Sequence, residues 1–196
     1  MEEIPPRIIT VGDSGVGKTT LIYRMKTDEF LTESTPTIGA GVTALDVNIK
    51  NEKYSIQVWD TAGQEIYRSI IPIYFKGAVY AILCFSMTDH KSFDNLNGWL
   101  DEIQRNADCP IGVVLVGNKY DCDDDKVVTE EEAQRYAMDH NMKLFFTSSM
   151  SGQNIALLLE HIAINSRKYL DQQSRDQGVG LVGDDKAGEK KKKGCC

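Results

Sequence analysis

Hydrophobic and polar positions follow two different periods along this chain, and these periods predict strands and helices in turn. Alternating or continuously apolar segments predict strands, because strand side chains point to opposite faces in turn. Two alternating segments flank the polar turn at 50–53 and predict an antiparallel hairpin. Residues 78–85 and 111–116 are almost wholly apolar, as in strands buried on both faces of a parallel sheet. The predicted strands are 7–11, 42–49, 54–59, 78–85, 111–116 and 142–146.

Helical spacing of apolar residues follows most of these strands. In residues 92–106, five apolar side chains from Phe93 to Ile103 recur along one helix face. Thr129 and Glu132 have the spacing of a capping box, which predicts a helix start. The predicted helices are 17–26, 92–106, 129–140 and 154–170. This alternation predicts an α/β fold with a mostly parallel six-stranded sheet, one antiparallel edge strand and helices on both faces. Its ligand is expected at the carboxyl ends of the strands.

Other segments lack a regular pattern. Residues 28–41 and a second stretch from the end of the hairpin to about residue 76 are predicted to be irregular loops. After Leu170 the helical pattern disappears, and residues 171–189 are polar and rich in Gly, Gln and Asp. Such a composition buries too little apolar surface to fold. We therefore expect one domain over residues 1–170 and a flexible tail over 171–196.

Composition limits the classes of protein to which the chain can belong. Its 196 residues, 41% of them apolar, suffice for one domain and a tail. No apolar run approaches the ~18 residues of a membrane-spanning helix, and the acidic N-terminus predicts no secretory signal. Five cysteines without a framework spacing predict free thiols in a reducing compartment, with Cys84 in the core.

Charge is unevenly distributed along the chain. The formal net charge is −7, but residues 186–196 carry five lysines against Glu189, a net +4, so residues 1–185 carry −11. Nucleic-acid binding draws on cationic surface. The acidic body therefore predicts no nucleic-acid partner.

A glycine-rich segment, GDSGVGKT at 12–19, separates the first predicted strand from the first helix. This order is that of a P-loop, whose backbone N–H groups and helix dipole bind a polyphosphate. Lys18 would place a cation on the β- and γ-phosphates, and the Thr19 hydroxyl would bind the accompanying Mg²⁺. The alternative is a glycine-rich turn that binds nothing. The residues predicted to bind phosphate are Ser14, Gly15, Val16, Gly17, Lys18, Thr19 and Thr20.

The segment DTAG at 60–63 ends the hairpin. There the Asp60 carboxylate can hold a water on Mg²⁺, and the backbone N–H of Gly63 can approach the γ-phosphate. The alternative is a simple turn at the end of a strand.

Two later segments are candidates for base recognition. NKYD at 118–121 follows a predicted strand, and the Asp121 carboxylate can accept from both guanine N1–H and the 2-amino group, which adenine lacks. The residues predicted here are Asn118, Lys119 and Asp121. Residues 147–149 follow the next strand and can offer backbone N–H groups to guanine O6, or alternatively cap a helix. The residues predicted here are Ser148, Ser149 and Met150.

The chain ends in four consecutive lysines at 190–193 followed by Gly194, Cys195 and Cys196. Two terminal thiols and a basic segment provide the two signals that stable lipid anchoring needs. The alternative is a solvated tail. It is not a C-a-a-X box, because no cysteine stands fourth from the end.

With these motifs in hand, the chain resembles a Rab-type small GTPase of the Ras superfamily over about residues 7–170 and at its terminal cysteines. The stretches that carry the resemblance are GDSGVGKTT at 12–20, TIG at 37–39, WDTAGQE at 59–65, YRSI at 67–70, YFKGA at 74–78, NKYD at 118–121, TSS at 147–149 and the CC ending. The resemblance implies a small G domain that binds GTP or GDP with Mg²⁺ and hydrolyses GTP.

The resemblance also implies roles for single residues. Thr37 would be the switch threonine that closes on Mg²⁺ and the γ-phosphate, with Thr19 and, through water, Asp60 as the other metal-binding residues. Phe30 would flank the guanine ring, although it could instead belong to the core, and Thr37 could be an ordinary loop threonine. Gln64 would orient the attacking water. The lipidated residues would be Cys195 and Cys196, carrying geranylgeranyl groups.

The segments at about 30–42 and 63–76 would be ordered by the γ-phosphate and Mg²⁺ and relax after hydrolysis. No arginine is placed to act in cis, so slow intrinsic hydrolysis is expected, accelerated about 10³–10⁵-fold by an arginine supplied in trans. Gln64→Leu should keep nucleotide binding and slow hydrolysis. The residues expected to face effectors and regulators are Ile38, Gly39, Ala40, Gly41, Trp59, Ile66 and Tyr67.

The sequence departs from the family pattern in three places. Residues 40–42 are Ala-Gly-Val where the family usually has Val-Asp-Phe, and Ile66 replaces an arginine. Residues 148–150 are Ser-Ser-Met where Ser-Ala-Lys is usual. The first two departures alter surfaces that face partners, and the third alters packing against the base.

The expected function is a GTP-hydrolysing switch in vesicle trafficking, on the cytoplasmic face of an intracellular or plasma membrane and cycling with a cytosolic pool. Expected partners are an exchange factor, a GTPase-activating protein, effectors of the GTP form, a prenylation escort and a GDP-dissociation inhibitor, and the chain itself is expected to be a monomer. Two alternatives remain from the residues. One is a P-loop ATPase or small-molecule kinase, and the other is a nucleotide-binding module that does not hydrolyse.

Overall fold

The computed structural model describes residues 4–32, 37, 39–61 and 71–179 and contains one six-stranded sheet. The strands are β1 Arg7–Val11, β2 Ala40–Ile49, β3 Glu52–Thr61, β4 Tyr80–Ser86, β5 Gly112–Asn118 and β6 Lys143–Phe146. The helices are α1 Lys18–Thr27, α2 Ile71–Phe75, α3 His90–Asp94, α4 Leu96–Asn106, α5 Glu130–Asp139 and α6 Ile155–Val179, with a 3₁₀ turn at Asp123–Asp125.

The strand order is β2-β3-β1-β4-β5-β6, and every neighbouring pair is parallel except β2 with β3. This arrangement confirms the predicted mostly parallel sheet with one antiparallel edge strand. Because the five parallel strands run the same way, the carboxyl ends of β1, β3, β5 and β6 lie at one edge of the sheet. All the candidate site motifs that the structure describes lie at or beside this edge.

The β2–β3 hairpin turns at two residues, Lys50 and Asn51, both with positive φ. Such a turn matches the right-handed twist of the paired strands. The pairing runs from Ile49 opposite Glu52 to Ala40 opposite Thr61. The prediction of irregular structure up to residue 41 is therefore wrong for residues 40 and 41, and β2 begins two residues before the predicted start at residue 42. Backbone pairing continues there although the side chains give no strand pattern.

The sheet is covered by apolar side chains on both faces. One layer joins α1 and α6 to the sheet, around Ile8, Leu21 and Leu158. The other joins α4 and α5 to the opposite face, around Leu83 and Trp99. All seven residues of β4 are buried, as its apolar sequence predicts, and they include Cys84. The candidate loops thus rest on a rigid central layer.

Two other segments correct the predicted elements. The segment predicted as one helix over 92–106 is two helices, α3 and α4, separated at Asn95. Helix α3 begins earlier than predicted because the Asp89 side chain accepts from the backbone N–H of Lys91 and caps it. Helix α2 lies in the stretch predicted to be irregular up to about residue 76, so that prediction is wrong for 71–75.

The last helix ends at Val179 rather than at the predicted residue 170. The apolar stripe ends near Leu170, but the helix continues over polar residues. Arg167 and Asp171 form an i,i+4 ion pair at 3.5 Å, and the Ser174 hydroxyl donates to the Leu170 carbonyl at 2.9 Å. The predicted boundary between domain and tail at 170 stays a prediction. Within the described part of the chain, no helix combines the length and apolar character needed to cross a bilayer.

Candidate nucleotide site

The loop between β1 and α1 is fixed by close contacts around its glycines. A Cβ at Gly12 would lie 2.1 Å from the Cys84 carbonyl oxygen, so no larger residue fits there. Gly17 has φ +94, and a Cβ there would lie 2.4 Å from the Asn118 amide nitrogen. Gly17 directly precedes α1, whose first turn has no side-chain cap. The backbone N–H groups at the start of α1 are therefore available to an anion.

Lys18 brings a buried positive charge to this loop. Its side chain is only 6% exposed, and the ammonium donates to the carbonyls of Gly12 and Asp13, both at 2.8 Å. Burial lowers the pKa of Lys18, and its neighbours Cys84, Asp60 and Asp13 act in the opposite direction. An ammonium has three N–H donors, and these carbonyls take two of them. A phosphate oxygen is a suitable partner for the third.

Three oxygen-bearing side chains from separate segments meet beside Lys18. The Thr19 hydroxyl donates to Asp60 Oδ2 at 2.7 Å and lies 2.8 Å from the Thr37 hydroxyl, which is 3.3 Å from the same carboxylate oxygen. The structure thus brings together the three residues predicted to bind the metal, whose sequence positions span 41 residues.

The carboxylate in this cluster has an unused oxygen. Asp60 Oδ1 is buried and accepts no hydrogen bond from the described residues. Burial raises the pKa of Asp60, while hydrogen bonds from Thr19 and Thr37 and the charge of Lys18 act in the opposite direction. Two hydroxyls and a carboxylate with a free oxygen are hard oxygen ligands of the kind that Mg²⁺ prefers. The residues present therefore fit the metal.

Asn118 joins the predicted phosphate loop, residues 12–17 between β1 and α1, to the segment after β6. Its amide nitrogen donates to the Val16 carbonyl at 3.0 Å, and its amide oxygen accepts from the hydroxyls of Thr147 and Ser149 at 3.2 and 3.4 Å. The side chain is buried. Asn118 thus fixes the relative positions of the predicted phosphate and base loops.

The segment around Asp121 is held by a side chain that the sequence analysis did not single out. The Tyr120 ring stacks on Phe146 with centroids 5.2 Å apart, and the Lys126 ammonium lies 3.6 Å from the Tyr120 ring centroid. The Tyr120 hydroxyl donates to Glu130. These contacts support the turn that presents Asp121, in which Lys119 has a positive φ.

Residues 147–149 are buried and form part of the loop between β6 and α6. Helix α6 begins only at Ile155, so the alternative that these residues cap a helix is wrong. The Ser148 hydroxyl instead accepts from the backbone N–H of Ser151 at 2.9 Å. Met150 is 63% exposed, beside two buried serines.

Phe30 is 41% exposed, so the alternative that it belongs to the core is wrong. Ala40, Gly41 and Trp59 lie on the β2–β3 hairpin, close in the chain to Thr37 and Asp60, which are predicted to bind the metal. Trp59 contacts Tyr74 of α2, with ring centroids 6.0 Å apart. Gly39 has φ +77 and directly precedes β2. The predicted residues outside the described part of the chain are Ile38, Gly63, Gln64, Ile66, Tyr67, Cys195 and Cys196.

A further contact was missed by sequence reasoning. The Asp13 carboxylate, inside the phosphate loop, accepts from Asn95 and from Trp99. Asp13 belongs to the glycine-rich segment at 12–19, which the sequence shows. Its partners lie 82 and 86 residues away, and nothing in the local pattern links them to it.

Comparison with known proteins gives a consistent picture. The sequence model that describes the Ras family matches residues 7–168 of this chain. "GTP-binding protein ypt3" of Schizosaccharomyces pombe is 39% identical over 178 residues, covering 88% of this chain and 82% of that protein. "Ras-related protein Rab-13" of Bos taurus is 40% identical over 149 residues, covering 76% and 73%. "Ras-related protein RABA1e" of Arabidopsis thaliana is 34% identical over 201 residues, covering 97% and 93%.

Proposed function

The chain belongs to the Ras family as a Rab-type small GTPase, and on that premise we propose that it is a membrane-anchored switch in vesicle trafficking that recruits effectors in its GTP state. Members of this family hydrolyse GTP to GDP and phosphate, and the chain is an enzyme of this class. The observation that carries the proposal is the convergence of buried Lys18 with the Thr19, Thr37 and Asp60 oxygens.

The charges of this cluster suit a nucleotide triphosphate bound with a divalent cation. Lys18 supplies a fixed positive charge to the phosphates, and the N-terminus of α1 adds its N–H groups. Thr19, Thr37 and, through water, Asp60 would hold Mg²⁺. When bound, the metal ion would neutralise charge that develops on the β- and γ-phosphate oxygens.

Guanine selectivity is assigned to Asp121. Its carboxylate can pair with two donors of guanine, and an adenine base would leave it unpaired, which is costly in a desolvated site. The Tyr120 contacts and the Asn118 amide hold the two base loops at a fixed distance from the phosphate loop. Ser148, Ser149 and Met150 complete the proposed base site.

The switching action depends on Thr37 and Gln64. The Thr37 hydroxyl is one of the oxygens beside Lys18. Loss of the γ-phosphate would therefore remove a partner of the segment that carries Thr37. Gln64 would orient the attacking water, and a GTPase-activating protein would supply an arginine in trans. An exchange factor would reload GTP. Effectors would bind the surface that includes Trp59 and the start of β2.

Membrane association is assigned to the C-terminus. Geranylgeranyl groups on Cys195 and Cys196, with the lysines at 190–193, would provide two anchoring signals. A prenylation escort and a GDP-dissociation inhibitor would handle the lipidated chain and allow a cytosolic pool. This localisation is the cytoplasmic face of an intracellular or plasma membrane.

The experiment that tests the nucleotide site is Thr19→Val, which keeps the branched shape and removes only the hydroxyl. Release of fluorescent mant-GDP from the full chain is measured with Mg²⁺ and with EDTA. In the wild type Mg²⁺ should slow release, and in Thr19→Val this slowing should fall by at least about tenfold, as expected for loss of a metal-binding group. Thr19→Ser keeps the hydroxyl and should behave like the wild type.

Competition against mant-GDP gives the base selectivity in the same assay. GTP should displace the label, and ATP at equal concentration should not. Equal displacement by ATP would favour the ATPase or kinase alternative. A Mg²⁺ effect that is the same in Thr19→Val and the wild type would show that the hydroxyl cluster is not the metal site.

A further inference from the structure

The phosphate loop is tied to helix α4 by a carboxylate whose two oxygens are both taken. Asp13 Oδ2 accepts from the Asn95 side-chain amide and Asp13 Oδ1 accepts from the Trp99 indole N–H, both at 2.7 Å. Asn95 directly precedes α4, and Trp99 lies one turn further on the same helix face. We propose that Asp13, Asn95 and Trp99 form a clasp that positions the phosphate loop and slows release of the nucleotide.

The helix side of the clasp is rigid. Trp99 is 3% exposed and packs in the apolar layer between the sheet and α4. Its indole N–H therefore has a fixed position, and Asn95 supplies a second fixed donor one turn away. Hydrogen bonds from two such donors to one carboxylate determine both the place and the orientation of Asp13.

The loop side of the clasp reaches the phosphate-binding cation. The backbone carbonyl of Asp13 accepts from the Lys18 ammonium at 2.8 Å. The same residue therefore holds α4 through its side chain and Lys18 through its backbone. A loop released from α4 would lose one of the two carbonyls that hold the ammonium in place. Asp13, Asn95 and Trp99 act through Lys18 and are positioning residues.

The charge of Asp13 makes this role distinguishable from an electrostatic one. A carboxylate beside a polyphosphate repels it, so removing that charge should by itself slow nucleotide release. The clasp predicts the opposite, because the neutral side chain can no longer accept from both donors. The direction of change in the release rate of Asp13→Asn therefore decides between the positioning role and the electrostatic role.

The inference rests on the nucleotide site proposed above, and the test is release of mant-GDP from the full chain in Mg²⁺. Asp13→Asn places an amide nitrogen against one of the two donors, and Asn95→Asp places two carboxylates face to face. Each single variant should release mant-GDP about tenfold faster than the wild type, as expected for loss of a hydrogen bond to a charged group. Release from Asp13→Asn that is unchanged or slower would overturn the clasp, because removal of the charge alone predicts slower release from that variant.

The double variant Asp13→Asn with Asn95→Asp reverses the pair and keeps its charge. The amide at position 13 can then donate to the carboxylate at position 95 and still accept from Trp99. We expect release to return to within about threefold of the wild type, because one donor and one acceptor again face each other. A double variant that releases as fast as the faster single variant would contradict the proposal.

Asn97→Asp is the matched control on the same helix. Asn97 is exposed and accepts from the Tyr136 hydroxyl at 3.0 Å, so this variant makes the same charge change away from the loop. Its release rate should equal that of the wild type. If Asp13→Asn does not fold, Asn95→Ala removes one donor without adding charge and should also accelerate release.

A nuclear magnetic resonance measurement gives a readout that global destabilisation would not produce. The chain has two tryptophans, so its two indole N–H signals can be assigned with Trp59→Phe. Asp13→Asn should move the Trp99 signal and leave the Trp59 signal in place, and Asn97→Asp should move neither. An unmoved Trp99 signal would show that Asp13 is not its partner.

The two proposals fail in different ways. A wild-type chain that does not retain guanine nucleotide would overturn the nucleotide site and the clasp with it. A wild-type chain that retains the nucleotide, with variants that release it no faster, would overturn the clasp alone.

Discussion

At the scale of single residues, buried polar groups hold the candidate site together. Asn118 uses both ends of its amide to connect the phosphate loop with the loop after β6. Asp13, which is half-buried, uses its two carboxylate oxygens to connect the phosphate loop with α4. An unpaired polar group in such a place costs about 1–3 kcal/mol. Substitution of these residues should therefore affect several loops together.

Cys84 provides a prediction about pH. It is fully buried beneath the phosphate loop, and burial raises the pKa of its thiol to about 12. The native state thus keeps the proton above about pH 8.5, where an unfolded chain releases it. The native state binds more protons there, so stability falls as pH rises. Between pH 8 and 10 this loss should be about 2 kcal/mol of unfolding free energy.

The measurement is urea unfolding of the wild type and of Cys84→Ala over this pH range. The wild type should lose stability relative to the variant as pH increases. Cys84→Ser does not titrate there either and should change with pH as Cys84→Ala does. A constant difference between the wild type and both variants would contradict the raised pKa.

Sequence patterns predict single residues well when the residues belong to a motif. The positions of Lys18, Thr19 and Asp60 follow from the motif and from the parallel sheet, which brings strand ends together. Tyr120 and Trp99 could not be assigned this way. Their roles depend on side chains that meet through packing, as when Trp99 reaches Asp13 across 86 residues.

At the scale of elements, the start of α5 is stabilised by hydrogen bonds between residues that are close in the sequence. The Thr129 hydroxyl accepts from the Glu132 backbone N–H at 3.2 Å, and the Glu132 carboxylate accepts from the Thr129 backbone N–H at 2.9 Å. This confirms the predicted capping box. Thr129→Ala should lower the unfolding free energy by about 1 kcal/mol, measured by urea denaturation at neutral pH.

Thr129→Ser keeps the hydroxyl and is the control for this prediction, so it should stay close to the wild type. The pKa of Glu132 is lowered, first by the hydrogen bond from the Thr129 backbone. A lowered carboxyl pKa contributes stability above about pH 4.3 that is lost as pH falls further. Thr129→Ala and Thr129→Ser with equal stability at neutral pH would show that the cap contributes nothing.

Element boundaries were predictable where a local signal marks them. The capping box gave the start of α5, whereas the split between α3 and α4 has no signal in the apolar spacing of 92–106. The residue at that split, Asn95, directs its side chain to Asp13 in another loop. The end of α6 was also not predicted, because the helix continues to Val179 over polar residues that give no apolar spacing.

At the scale of the whole molecule, the topology followed from the order of patterns. Continuously apolar strands predicted a parallel sheet, and the turn at 50–53 predicted its antiparallel edge. Partner choice does not follow in the same way. It depends on surface side chains such as those at 40–42, where this chain departs from the family pattern, and neither periodicity nor packing constrains such positions.

The C-terminus gives a prediction for the whole molecule in cells. If Cys195 and Cys196 carry lipid, replacing both with serine removes the apolar anchor, and the lysines at 190–193 alone would attract the chain to anionic lipid only weakly. Each lysine contributes about 1 kcal/mol near such a surface, and salt screens that attraction. The double serine variant should therefore move from the membrane fraction to the supernatant after a wash in high salt, as followed by sedimentation and immunoblotting.

Replacement of the four lysines by glutamine should have a different effect. The lipids remain, so part of the protein stays on membranes, but its binding no longer increases with the anionic lipid content of added vesicles. Cys109→Ser with Cys122→Ser is the matched control, since it removes two thiols of the folded domain and should leave membrane association unchanged. Unchanged sedimentation of the Cys195→Ser, Cys196→Ser variant would mean that another part of the chain binds the membrane, and the anchoring proposal would then be wrong.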